Sequence, residues 1–400
     1  MMKLRNTIYY VLCLMMSAST LTGCIEEYEA DIAEEDANLL VVEGTICSGQ
    51  TNKFYLSRTQ PISNVYAPYW VNDAKVSVRG TDGSEYPATK NYDFEVFEES
   101  NGYYACQLGN LNPDVEYYLH IEVDDEVYES EPQKPLRSEK IAKVEGVYDK
   151  SGWNIDVLVT PAEPDNTDET HYYTWTCDET WEVRPEYITN WYYDILTGTA
   201  RQIHKLYPTI GWKDESSTET MIGASTNYDN QHIQRLKLYD ISVSNERMFY
   251  RYSGLIHQRA ISKGEYEYEL ARRQAGYGMG GLFTPQPSAL PTNIHCLTSG
   301  KRALGYVGCS LNTGDYRFFL NASDYGLQHN IKDNRVYLEN PTVDQCFRLV
   351  NTGYGLCEWD QTPDGKVNSI WALMYQIDIR RRGAYVEEPY FWSWTENVSF

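Results

Sequence analysis

Basic residues are scarce. The 400-residue chain carries 34 Lys and Arg against 57 Asp and Glu, a net charge of −23 at pH 7. Such a surface repels phosphate backbones and anionic headgroups, which excludes a nucleic-acid partner. Catalytic signatures are missing as well: no H-E-x-x-H, G-x-S-x-G, S-x-x-K or phosphate-loop pattern occurs, so no residue is marked as a catalyst by motif. The seven histidines (His120, His171, His204, His232, His257, His295 and His329) are scattered singly. No cysteine pair has Cys-x-x-Cys spacing and no His completes a zinc set. Asp165 to Glu169 is acidic but lacks the EF-hand spacing and its Gly. No cofactor or metal is implied. Glycosidase carboxylates meet only in the fold and have no spacing signature. A hydrolase therefore stays open as a lesser reading.

Long apolar runs are also lacking. The most apolar stretch, Thr7 to Leu21, is shorter than the about 20 residues a spanning helix needs. Lys3 and Arg5 precede it and Leu21-Thr22-Gly23-Cys24 closes it. This is the layout of a secretory signal over 1–23. Its end resembles the bacterial lipobox, in which the Cys, here Cys24, is acylated and becomes the mature N-terminus. An ordinary secreted protein cleaved nearby is the plainer alternative. Residues 24–37 then read as a tether: Ile25 to Ala37 holds seven acids in thirteen residues and builds no core. It resembles the acidic export signal of Bacteroidota surface lipoproteins, which implies an outer-membrane, lipid-anchored protein facing the exterior rather than the periplasm.

What is abundant is aromatic. Tyr occurs 35 times and Trp 10 times, a load that suits strands and half-wet sheets. Beyond Cys13 and Cys24, seven cysteines remain. Outside the cytoplasm disulfides persist, and Cys296 with Cys309, and Cys346 with Cys357, are the disulfide candidates by proximity. The odd count leaves at least one free thiol.

The fold class expected is mainly β: an N-terminal β-sandwich at 38–135, resembling transthyretin-like or fibronectin-like modules, then a larger β-rich domain at 140–400 with one helical segment at about 244–275. Leu39 to Val42, Ala74 to Arg79, Gly102 to Leu108 and Val115 to Val123 read as strands, with Asp82-Gly83 as a hairpin turn. Pro132 to Glu139 reads as a linker. Trp153 to Thr160 alternates, and His171 to Cys177 puts Tyr173, Trp175 and Cys177 on one face. Met248, Tyr252, Leu255 and Ile256 fall on one helical stripe, with Ser244 as an N-cap and Ser262-x-x-Glu265 as a capping box. Gly276 to Gly281 matches G-x-G-x-x-G, but a helix precedes it and no strand does, so it reads as an exposed loop. Strands resume over 303–378, and the aromatic end at Pro389 to Trp392 is expected to tuck into the body.

In order, Leu40 to Gly44, Asp73 to Val76, Ser244 to Tyr252, Gly281 to Pro287, Asn293-Ile294, Leu304 to Tyr306 and Pro389 to Trp392 resemble the Bacteroidota lipoprotein family known as domain of unknown function 4249. The wide spacing of Cys346 and Cys357 departs from its pattern. The resemblance implies an accessory lipoprotein of a TonB-dependent outer-membrane transporter, its ligand unspecified. The expected function is thus ligand capture for such a transporter in nutrient uptake, without catalysis. A structural or adhesive, pilus-like surface protein is the alternative, and a glycan or peptide hydrolase the lesser one. If a ligand face exists, the densest aromatic stretch nominates Trp175, Trp181, Trp191 and Tyr192, with the Gly276–Gly281 loop beside it.

Overall fold

Period-two alternation dominates this chain, and sheets follow from it. The computed structural model describes residues 38–59, 69–92, 102–217, 219–277 and 290–399; the signal, the tether and most of the Gly276–Gly281 motif lie outside them. The protein is mainly β.

The first body is built from two sheets. One runs Ala303–Gly305, Leu40–Glu43, Thr51–Arg58, Gly102–Gln107, Thr89–Tyr92. The other runs Ile294–Cys296, Glu126–Ser130, Tyr117–Val123, Lys75–Gly80, Glu85–Pro87. Leu40, Phe54, Leu56 and Tyr104 from one sheet share a core with Val78, Leu119, Ile121 and Tyr128 from the other, which is sandwich packing. The Asp82-Gly83 hairpin forms: Gly83 takes φ +88° and the Gly80 N–H donates to Ser84 O at 2.8 Å.

This core does not end at residue 135. Ala303–Gly305 pairs in parallel with Leu40–Glu43, and Ile294–Cys296 pairs antiparallel with Glu126–Ser130. Ile294, Cys296, Ala303, Val307 and Cys309 belong to the same core. The boundaries 38–135 and 140–400 are corrected accordingly: strands borrowed from deep in the second half complete the first sandwich. Pro132 to Glu139 is no slack linker either. Gln133 bridges to Tyr117 and Leu136 to Ser310.

The second body packs the sheet Ile141–Asp149, Asn154–Pro161, Leu236–Ser242 against a six-stranded one. In the latter, Tyr172–Val183 lies between Gly211–Ser216 and Arg251–Ile261, which is followed by Gly314–Asn321. The expected helix over 244–261 is therefore overturned. Asn245, not Ser244, caps a single 3-10 turn, Glu246–Met248. Arg251–Ile261 is a central strand hydrogen-bonded on both edges. Helix α1 spans Lys263–Tyr277, and its Glu265 N–H is capped by Ser262 Oγ at 3.2 Å. As expected, the aromatic end packs inward: Phe391 and Trp392 cluster with Trp212.

A third, smaller unit holds Val336–Glu339, Val367–Leu373 and Tyr354–Gln361, the hairpin Trp191–Asp194 with Thr199–Gln202, and helix α2 at Val343–Asn351. The Thr342-x-x-Gln345 capping box opens α2 within a stretch read as strands.

All seven described cysteines are buried and unpaired, so neither proposed disulfide forms. Cys346 lies in the core around Trp371, whereas Cys357, at a bulge in Tyr354–Gln361, belongs to the cluster with Ile377. Burial as small apolar groups satisfies them.

On the six-stranded sheet, His257 lies between two carboxylates. Its Nδ1 is 3.0 Å from Asp315 and its Nε2 3.2 Å from Asp178. The Asp178 bond, then that to Asp315, raises its pKa from 6.5 to about 9. A pKa raised by folding means stabilisation complete below the unfolded value and lost as pH climbs through the folded one. His257→Gln is expected to cost on the order of 2–3 kcal/mol at pH 6 and far less at pH 10. Urea titrations at the two pH values check this; an equal cost at both contradicts it.

Candidate functional site

The nominated aromatic residues do not meet. Trp175 is fully buried, its Nε1 donating to Gln258 Oε1 at 2.9 Å. Trp181 is 6% exposed, and Arg247 lies over its ring at 4.6 Å. Both point into the second sandwich, because Tyr172–Val183 is a central strand with one face to the core. Trp191 packs on the third unit's core, and Tyr192 alone is exposed, beneath Arg201. The ligand face expected from these four is corrected: three are packing residues. In the Gly276–Gly281 motif, Gly276 and Tyr277 end α1 and the rest lies outside the described residues.

Another aromatic set does converge. Between Asp149 and Asn154 the chain turns, Asp149 Oδ1 accepting from Ser151 N–H at 2.9 Å and from its hydroxyl at 2.6 Å. The turn leaves Trp153 at φ +55° and 66% exposed. For a bulky residue this left-handed backbone is a true outlier. It is pinned by the Val243 N–H, which donates to Trp153 O at 3.0 Å.

Two further segments face it. Met248 is buried and anchors the turn that presents Phe249. A 3-10 turn, Ala322–Tyr325, ends at Gly326 with φ +68° and directs residues 327–330 back across the surface. Tyr325 OH donates to Gly146 O at 3.1 Å, and a Cβ at Gly146 would lie 2.4 Å from that oxygen, so glycine is required there. Phe249 and His329 stack with ring centroids 3.8 Å apart and planes at 19°.

Together these residues form a groove. One half, of about 510 Å3, is lined by Tyr148, Trp153, Ser244, Phe249 and residues 325–330. The other, of about 610 Å3, shares Phe249 and residues 327–330 and adds Glu182, Arg184, Asn321 and Ser323. These sizes are those of ligand clefts, roughly 300–1,000 Å3. The sequence carried one signal for this site, the Asp-Lys-Ser-Gly turn before Trp153; the partners at 249 and 329 are brought in only by the fold.

A nucleophile paired with a base is the other arrangement to look for. Ser216, Asp178, His257 and Asp315 form a row across four strands. Ser216 Oγ donates to Asp178 at 2.6 Å and not to His257. Both ring nitrogens of His257 face carboxylates, so no lone pair is offered to the serine. Among the described residues no group of three or more His, Cys, Asp or Glu side chains is placed to hold a metal.

The family model described as "Domain of unknown function (DUF4249)" matches residues 25–314. No curated protein matches the chain. Among solved structures, a DUF4785 family protein from Legionella pneumophila shares 14% identity over 55% of this chain, with a TM-score of 0.17. The match spans about half of that protein, 52%, and at this score it carries no argument.

Proposed function

The chain belongs to the DUF4249 family, and on that premise we propose that it is a lipid-anchored outer-membrane protein of a Bacteroidota cell surface that captures a ligand for a TonB-dependent transporter. The observation that carries this reading is the open, aromatic-walled groove around Trp153, which has the form of a binding site and offers no nucleophile–base pair among its described residues. Catalysis is not part of the proposal. The anchor is Cys24, in a lipobox-like Leu-Thr-Gly-Cys followed by a seven-acid tether.

A membrane-impermeant, amine-reactive cross-linker on intact cells tests the proposal. The exposed Lys75, Lys263 and Lys366 should react without lysis and yield a discrete adduct containing a TonB-dependent transporter. Reaction only after lysis contradicts the surface placement. A ladder of the chain's own copies contradicts the capture role and indicates a fibre.

A further inference from the structure

The Trp153 half of the groove has an unusual composition for this protein. Asp, Glu, Lys and Arg make up 23% of the chain, yet none of the twelve residues lining this half is one of them. Two or three would be expected by chance. A charge-free lining in so acidic a molecule disfavours phosphates, free amino acids and chelated metals, whose charges demand complementary partners.

What the lining offers instead is flat apolar faces with neutral hydrogen-bonding groups beside them. Trp153 presents an exposed indole, and Phe249 and His329 present a stacked pair at 3.8 Å. Gln328 and Asn330 contribute exposed amides and Ser244 a hydroxyl. Amides supply both donors and acceptors, as hydroxyls require. A purely apolar ligand would leave those groups unpaired on desolvation.

The strain at Trp153 points the same way. A left-handed backbone at a bulky residue is held only where the surroundings over-determine it, and such strain gathers at functional sites. Glycine would adopt φ +55° freely. Packing does not account for a tryptophan that is 66% exposed.

We infer that this half of the groove binds a neutral oligosaccharide, with a sugar ring stacked on Trp153 and its hydroxyls bonded to Gln328, Asn330 and Ser244. The inference rests on the capture reading above and names its ligand class.

The test uses the full-length protein in detergent on an array of neutral, sulfated and uronic-acid oligosaccharides, followed by calorimetric titration of the best binder. Neutral glycans should bind. Trp153→Gly should weaken the titrated binding by at least about 10-fold, while its melting temperature stays level or rises because the left-handed strain is relieved. Trp153→Phe should bind within about 3-fold of the parent. Absence of any neutral-glycan binding, binding of anionic glycans alone, or undiminished binding by Trp153→Gly overturns the inference. A transporter found beside a blank array refutes the ligand class and leaves the capture reading intact. Glycan binding without any transporter does the reverse.

Discussion

Replacing Cys24 with Ala is expected to abolish fatty-acyl labelling of the protein and to leave residues 1–23 attached. Acylation needs the thiol, and processing at a lipobox follows acylation. Replacing residues 1–24 with an ordinary secretory signal, in a host that lacks the transporter, should then release the protein into the soluble fraction. The physical argument is that the described residues supply no helical membrane anchor to replace the lipid. No helix among the described residues is long and apolar enough to cross a membrane, and net charge −23 opposes adsorption to anionic lipid. A single myristoyl chain binds membranes only marginally, with K of about 10⁴ M⁻¹. Stable attachment thus needs the several chains that a lipidated Cys carries. Alkyne-palmitate labelling with detergent phase partition measures both effects. Full acylation of the Cys24→Ala variant, or membrane retention of the signal-swapped chain in the host without the transporter, contradicts the anchor.

Glu265→Ala is expected to destabilise the protein by about 3–5 kcal/mol, a large share of the about 5–15 kcal/mol that ordinarily holds a domain folded. Glu265 on α1 pairs with Arg259, and the two side chains are 6% and 15% exposed. Removing the carboxylate strands a guanidinium out of water. The pair also sits where the two sandwiches meet. Gly308, whose strand pairs with Thr45–Cys47 of the first sandwich, lies against the carboxylate, and a Cβ there would be 2.1 Å from Glu265 Oε2. Gly308→Ala should therefore act in the same direction. Around this contact the linker is bonded into the second sandwich: Gln258 Nε2 donates to Glu139 O at 2.8 Å and Tyr173 OH to Glu139 Oε2 at 2.8 Å. Urea unfolding of wild type and variant measures the loss. A change under about 1 kcal/mol contradicts the account, since that is the worth of a solvated pair.

Much of the strand pattern was readable before the fold. Lys75–Gly80 and Asn154–Pro161 each alternate and pack one face into a core, so period two is printed in their side chains. Arg251–Ile261 defeats the same reasoning for a physical reason. Its first half is covered on both faces: Tyr252 enters the sandwich core, while Ser253 is buried on the side where Arg317 and the C-terminal aromatics lie. A strand buried on both faces loses alternation, and Met248, Tyr252, Leu255 and Ile256 then mimic a helical stripe by chance.

The site was less legible than the fold. The aromatic stretch at 172–193 is the densest in the chain, but its density reflects a central strand and its core. The alternation from Trp153 to Thr160 reads as a strand, and the left-handed backbone at Trp153 has no signature in composition. Phe249 and His329 are 80 residues apart in sequence and are joined only by the turn that Gly326 permits. Alternation marks a strand near 303–310 but not Ile294–Cys296, and neither one's membership in the first sandwich is legible, because pairing with Leu40–Glu43 across some 260 residues and with Glu126–Ser130 across some 160 leaves no local trace.

The most direct measurement of the central claim is copurification. The tagged full-length protein, drawn from its native outer membrane in mild detergent, should bring a TonB-dependent transporter in stoichiometric amount. Recovery of the protein alone, or only with copies of itself, would contradict the account.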